Sequence, residues 1–382
     1  MTKASKQLSA LSLAVATVTA PVSAVEIYKD SKHSASLTGH YQIQHVSSDG
    51  TDEFVDSNSR IAFGFDRQLQ QGWQALGYLE LGVELAENNG GLVISGDGIK
   101  GSSSKDDSVW LRQGFVGVEH EKYGKITLGK QWASIYTVSG QADIWHYFGG
   151  DAAGIYNLGS DGGFSGTGRA EQALQYNNQF GDLSVSVQFQ STQEEIDVYD
   201  EFGEEIPGVT AEFDNSYGFG LKYSLPFNVH LGAGYNEANL KFRSDAVGAI
   251  DIDDTLTAFS ISYGTSKNDP FYIVAIMVEG EFHELNDRNA LMEDTIGLEL
   301  WASYRFADDK AMVYAGYNSL EDDSSGLNNS YERNSQMVGA AYFFDPLFDI
   351  FVEFQQDDNS TAADGSDLGR EDTLAVGVKY VF

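Results

Sequence analysis

The sequence predicts an all-β protein, a transmembrane antiparallel β-barrel of sixteen strands. Three observations carry this reading. Apolar residues alternate with polar or small ones at period two in segment after segment, which gives each segment one apolar and one polar face. The 382 residues include 41 Gly, 23 Phe and 20 Tyr, but only 5 Pro and no Cys. That composition suits many strands joined by polar turns. The connections also alternate, short then long, as in barrels that cross a membrane with tight turns on one side and long loops on the other.

The segments follow in order. Residues 36–46 open the series. In 59–67, Ile61, Phe63 and Phe65 take one face and leave Arg60 on the other. Segments 74–86 and 109–119 come next, and in the second the same parity sets Arg112 opposite Leu111 and Phe115. After 125–130 and 170–177, segment 183–190 alternates Leu183, Val185, Val187 and Phe189 with Ser184, Ser186, Gln188 and Gln190. In 215–225, Tyr217, Phe219, Leu221 and Tyr223 alternate with Gly218, Gly220, Lys222 and Ser224. Segments 229–240, 256–265 and 271–281 lead to 294–306, where Ile296, Leu298 and Leu300 face away from Gly297, Glu299 and Trp301. Segments 311–319, 335–344 and 347–356 precede the last, 373–382. There Leu374, Val376, Val378, Tyr380 and Phe382 oppose Ala375, Gly377, Lys379 and Val381.

Closure follows from the solvent. In hydrocarbon every backbone polar group must be paired, and a sheet achieves this only by having no edges. Aromatics gather at strand ends, at Tyr223, Tyr263, Tyr304, Phe306, Tyr342, Phe344 and Tyr380, where interfacial girdles belong. Inward charges such as Arg112 and Glu80 require water or a partner.

Residues 1–24 read as a secretory signal. Lys3 and Lys6 precede an uncharged run of small and apolar residues over 8–20, and Val22-Ser23-Ala24 supplies the small residues of a cleavage site. The run is shorter than the roughly 20 residues a spanning helix needs. Residues 25–382 then form the barrel. The formal charge of −34 argues against a nucleic-acid partner, because phosphate binding needs clustered bases. The lack of Cys excludes disulfides, thiolate metal sites and a thiol nucleophile. The His residues lack zinc spacing, and no metal or cofactor is expected. The stretch 96–102 lacks the Lys of a phosphate loop, and 163–167 lacks the final Gly of a nucleophile elbow, so no catalytic residue and no enzyme activity are expected. Acid runs at 251–254, 321–323 and 357–358 fall in expected external loops. They read either as a solvated rim or as sites where divalent cations bridge to lipopolysaccharide, and none has calcium-loop spacing.

Four features carry a family resemblance. Val25-Glu26-Ile27-Tyr28-Lys29-Asp30 resembles the mature start of the enterobacterial general diffusion porins. Residues 129–151, ending in Phe148-Gly149-Gly150-Asp151, resemble the start of their third loop. The closing Lys379-Tyr380-Val381-Phe382 is similar to the terminal-Phe signal read by the outer-membrane assembly machinery. The spacing of strands and loops follows the family over the whole of 25–382.

The resemblance implies a homotrimer in the outer membrane of a Gram-negative cell, in contact with lipid and lipopolysaccharide. It implies passive diffusion of ions and small hydrophilic solutes, with residues 131–168 as a third loop folded into the lumen. It also implies a constriction in which Asp143, with Asp151 further along the loop, faces a basic wall of Arg60, Arg112 and Arg169, with Glu80 as a wall acid. Phe382 would be the assembly signal. Two departures stand out. Tyr147 replaces the family's second loop acid, with His146 in place of the preceding Pro, and His40 replaces a first-strand Lys. Trp132, Trp145, Tyr147 and Phe148 either anchor the loop or stack sugar rings in a substrate-selective channel for oligosaccharides. An acidic mouth competing with a basic wall gives an expected mild cation preference that fades as salt rises.

Overall fold

A computed structural model describes residues 24–382, apart from 87–89, 96–97, 104–107, 158–159, 192–195, 200–204, 245–247, 267–268 and 326–328. The expected signal up to residue 23 lies outside the described residues, as do Gly96 and Asp97 of the Gly-rich loop, whose neighbours 90–95 and 98–103 pair as a small separate hairpin.

Among the described residues, sixteen long antiparallel strands form a closed ring. They are β1 (His33–Ser47), β2 (Arg60–Gln68), β3 (Trp73–Val83), β4 (Val109–His120), β5 (Gly124–Trp132), β6 (Arg169–Phe180), β7 (Leu183–Gln190) and β8 (Glu205–Leu225). The second half comprises β9 (Val229–Ser244), β10 (Gly248–Tyr263), β11 (Phe271–Glu281), β12 (Asp294–Phe306), β13 (Ala311–Asp322), β14 (Glu332–Asp345), β15 (Phe348–Asp357) and β16 (Thr373–Val381). Each pairs with the next, and β16 closes on the upper part of β1, from His40↔Val381 to Ser47↔Leu374.

The lower part of β1 has a different neighbour. Val25–Lys29 pairs there, from Val25↔Leu37 to Lys29↔Ser34. Between the two, Phe382 N–H donates to the Gly39 carbonyl at 3.0 Å and Gly39 N–H to the Phe382 carbonyl at 2.9 Å. The seam is therefore built from two distant pieces of chain. Gly39 is required at their meeting point, since a Cβ would lie 2.2 Å from the Arg60 carbonyl and 2.9 Å from the Phe382 ring.

Every expected segment contributes a strand, and 183–190, 271–281 and 294–306 match end to end. The differences lie mainly at the outer ends. β8 begins at Glu205 rather than 215, β9 runs on to Ser244, and β10 begins at Gly248 rather than 256. The acid run 251–254 is thus on a strand, not in a loop. Asp251 pairs with Lys241 and Asp253 with Asn239, whose Nδ2 donates to the Asp253 carboxylate at 2.8 Å. Charge bars a strand from lipid but not from water.

β4 departs from simple parity. Leu81 faces Leu111 and Glu80 faces Gln113, so Arg112 is an extra residue, a β-bulge. Beyond it the faces exchange. Leu111 stays outside at 49% exposure, but Phe115, expected on the same face, is 6% exposed and meets the Tyr78 ring at 5.3 Å. Val116 takes the outer face instead.

Phe65, Val187, Phe259, Ile261, Val313, Val352 and Val376 are exposed on the outside, as a lipid-facing band requires. Tyr223, Phe227, Tyr263, Tyr304, Phe344 and Tyr380 are exposed at the short-turn ends and form the aromatic girdle. The inner wall has two characters. On β1 and β6–β9 it carries Gln42, Gln44, Gln175, Gln188 and Asn236, all buried. On β10–β13 it carries an apolar patch, with Leu256, Val274, Ile276, Trp301 and Tyr314 in one cluster.

Candidate functional site: the narrowing inside the barrel

Between β5 and β6 the chain leaves the wall and runs inside the barrel as the third loop, 133–168, whose described residues include a short helix, α1 (Tyr136–Ser139). The wall is built to receive it. Ser134 N–H donates to Gln188 Oε1 on β7 at 2.7 Å, and Gln141 Nε2 to Ser260 Oγ on β10 at 2.7 Å. Ile135, Val138 and Ala142 bury their side chains on the apolar patch of β10–β12, so the hydrophobic effect favours the inward position. Two wall glycines make room. A Cβ on Gly220 would lie 2.1 Å from the Ser134 carbonyl, and one on Gly297 1.9 Å from that of Ala152.

The loop tip is fastened to β15. The Glu353 carboxylate accepts from the N–H of His146 at 2.8 Å and of Tyr147 at 2.9 Å, and from Tyr314 Oη at 2.9 Å. His146 Nε2 lies 3.1 Å from Asp349 Oδ1, and Gln42 Nε2 on β1 donates to the His146 carbonyl at 2.7 Å. Burial disfavours charge on this imidazole, yet its hydrogen bonds to Asp349 and Glu353 outweigh that and raise its pKa above the usual histidine range. On the return path, Ala152 N–H donates to Glu299 at 2.9 Å, and His283 Nε2 lies 2.9 Å from the Gly154 carbonyl.

Beside the tip lies a cavity of about 250 Å³, lined by Asn58, Asp143, Tyr147, Tyr156, Asp161 and Arg169 with other loop residues. Asp143 is held by two phenols, Tyr136 and Tyr156, each donating at 3.0 Å. Burial, and then this carboxylate, push both phenols above the usual tyrosine range, so they remain protonated donors. Among the described residues Asp143 has no basic partner.

The bases form two groups. Arg112 Nε donates to Glu80 Oε1 at 2.9 Å, and Arg60 Nη1 lies 3.8 Å from the same oxygen. Arg60 Nε donates to His40 Nδ1 at 3.4 Å. Arg112 also donates to Asn58 Oδ1 at 3.3 Å, which joins this group to the cavity. In the second group, Arg169 Nε donates to Asp161 Oδ2 at 3.2 Å, and Lys130 Nζ lies 2.9 Å from Asp161 and 2.8 Å from Glu171. Burial opposes the Asp161 charge, but Lys130 and Arg169 outweigh it and hold the carboxyl below its usual range.

The structure thus places Arg60, His40, Glu80 and Arg112 in one patch, and Asp143, Tyr147 and Arg169 around one cavity. Asp151 does not join them. Gly149 and Gly150, at φ 102° and 74°, turn the chain, and Asp151 comes to lie by β14, where Arg333 donates to its carbonyl. Of the loop aromatics, Trp145 packs edge-on against Trp301 with centroids 4.5 Å apart and anchors the loop. Trp132 stacks on Tyr136 at 3.9 Å, and Tyr147 and Phe148 line the cavity together with Trp145. Asp143 and Arg169 thus stand on one cavity as opposite charges carried by different elements, the loop and β6.

The sequence profile of the Gram-negative porin family matches residues 10–362. The chain belongs to this family. Outer membrane porin N of Escherichia coli K12 is 25% identical over 94% of this chain and 95% of its own length. Porin-like protein L of Photobacterium profundum is 22% identical over 99% of each. Salmonella typhi OmpF, solved in complex with daunomycin, superposes on 94% of this chain and 100% of its own with TM-score 0.69 at 20% identity. OmpT of Vibrio cholerae, in trimer form, covers 92% of this chain and 100% of its own with TM-score 0.59 at 16% identity. The porin is an outer-membrane channel protein, not an enzyme.

Several polar residues around the porin's third loop escaped the sequence reading. Glu353 and Glu299 bind loop backbone N–H groups, which no residue spacing announces. Asp161 follows the recognisable part of the loop. Lys379 was legible by parity alone, because it alternates with the outward Val378 and Tyr380.

Proposed function

We propose that this porin is a general diffusion channel that admits ions and small hydrophilic solutes passively, with a mild preference for cations. It works as a homotrimer among outer-membrane lipid and lipopolysaccharide, delivered by the outer-membrane assembly machinery. The observation that carries the reading is the loop-borne Asp143, without a basic partner among the described residues, sharing a cavity with Arg169 and with Asn58, the partner of Arg112. Asp143→Asn should move the zero-current potential in a salt gradient toward anions, and Arg112→Gln should move it toward cations. Both shifts should shrink as salt rises, because screening shortens to about 3 Å at 1 M. If planar-bilayer recordings show neither shift, these side chains do not line the narrow passage.

A second reading is supported by Tyr147 and Phe148, whose rings meet at 5.0 Å in the same cavity as the polar Asn58 and Ser160. Aromatic faces beside polar groups suit sugar rings, so an oligosaccharide-selective porin would show blocking events with one sugar class in the same recordings. The Trp145–Trp301 packing weighs toward anchoring for that residue.

A further inference from the structure

We infer that Lys379 is a specificity-determining residue of the passage, supplying beside Arg60 the fixed positive charge that His40 does not. The inference rests on the proposed passage and adds a residue to it. In the geometry of the basic patch, His40 Nδ1 accepts a hydrogen bond from Arg60 Nε. A ring nitrogen that accepts from a guanidinium carries no proton there, so His40 stands in the patch as a neutral ring. Arg112 has given its Nε to Glu80, which also lies against Arg60. Arg169 is matched by Asp161. The wall therefore carries less unmatched positive charge than its number of bases suggests.

Lys379 lies on the neighbouring strand. Val381 faces His40 and Lys379 faces Gln42, so the lysine stands two residues further along β16 from the residue opposite His40. On its other side it faces Asp349 of β15. Directly opposed residues of an antiparallel pair share a face. Gln42 and Asp349 are buried inside the barrel, and Gln42 touches the loop tip. Val378 and Tyr380 are exposed on the outside. Lys379 therefore points into the lumen beside the tip of the third loop.

Its charged neighbours are Arg60, Asp349 and Glu353. The carboxylates are already engaged. Asp349 meets His146, and Glu353 accepts from Tyr314 and the loop backbone. Among the described residues Lys379 makes no ion pair within 4.0 Å. An ammonium in this position acts on the passage through its field, at a site where little water screens it.

The absence of Cys from the chain allows a clean test. Lys379→Cys gives the assembled channel a single thiol, which is labelled after folding with a positively or a negatively charged methanethiosulfonate. The zero-current potential in a salt gradient should shift toward cations in Lys379→Cys, return with the positive label, and move further toward cations with the negative one. Lys379→Arg should leave it unchanged. If the Cys variant fails to assemble, Lys379→Gln should show the same shift toward cations. An unmoved potential in labelled Lys379→Cys or in Lys379→Gln, alongside a shifted Asp143→Asn channel, overturns the role of Lys379 and leaves the passage reading intact. If Asp143→Asn is silent as well, both fail.

Discussion

One carboxylate, that of Glu353, holds the tip of the third loop. It accepts from three loop N–H groups, those of His146, Tyr147 and Phe148, and from the Tyr314 phenol, and it is fully buried. Hydrogen bonds to a charged group contribute roughly 1.5–3 kcal/mol each, and removing the charge from such a site leaves its donors poorly matched. Glu353→Gln keeps the shape but sets an NH2 donor against backbone donors. The expected result is a loosened tip, seen as faster entry of larger sugars in liposome swelling and as noisier single-channel current. Unchanged swelling would assign the tip's position to Trp145 and its apolar neighbours instead. At this scale, the sequence discloses charges that alternation places opposite lipid-facing residues, which is why Arg60, Arg112 and Glu80 were legible. It conceals groups whose partners are backbone, as for Glu353. It also misleads across the bulge at Arg112, where one extra residue moves Phe115 from the expected lipid face to the interior.

The third loop is held at its outer end by a second clamp. His283, just beyond β11, lies 2.6 Å from Asp254 and 2.9 Å from the Gly154 carbonyl. Burial opposes its charge, but Asp254 outweighs burial, and the imidazole is pushed up to about 9. Because the folded value exceeds the unfolded value of about 6.5, this stabilisation is complete below about 6.5 and is lost as pH rises through about 9. The unfolding midpoint in denaturant should therefore fall between pH 7 and 10, and His283→Gln should flatten that slope. Glu284, raised to about 7 mainly by burial, acts lower, losing stability from about 4.5 to 7, so the two windows are separable. A flat profile in the unaltered porin above pH 7 would mean that His283 is neutral in the fold. Among the elements, strand identity was legible because alternation marks every segment, even where the bulge in β4 shifts its phase. Strand extent was not. The acid-rich starts of β8 and β10 read as loop because charge was weighed against lipid, whereas these residues pair above the apolar band.

The whole barrel depends on its seam. Phe382 contributes two backbone hydrogen bonds to Gly39, and its ring meets Tyr41 at 5.1 Å. Deleting Phe382 removes that closure together with the terminal side chain that family resemblance links to assembly. The amount of heat-modifiable trimer in the outer membrane should drop, and an unchanged yield would show that neither role matters. The global architecture was the most legible level, since sixteen alternating segments and unequal connections leave a closed wall as the one arrangement without edges. The splice in that wall was not legible, because it joins residues more than three hundred positions apart. It has a geometric consequence. Phe382 bonds to Gly39 while Val25 faces Leu37, and both pieces run in the same direction, so a single position, opposite Thr38, separates them along β1. A one-residue bridge from 382 to 25 would make the seam a continuous strand, and the chain could then be opened at the turn 226–228 with every wall pairing kept. The hydrogen-bonded wall is a circular permutation class, in which the place where the polypeptide is cut is independent of the shape it encloses.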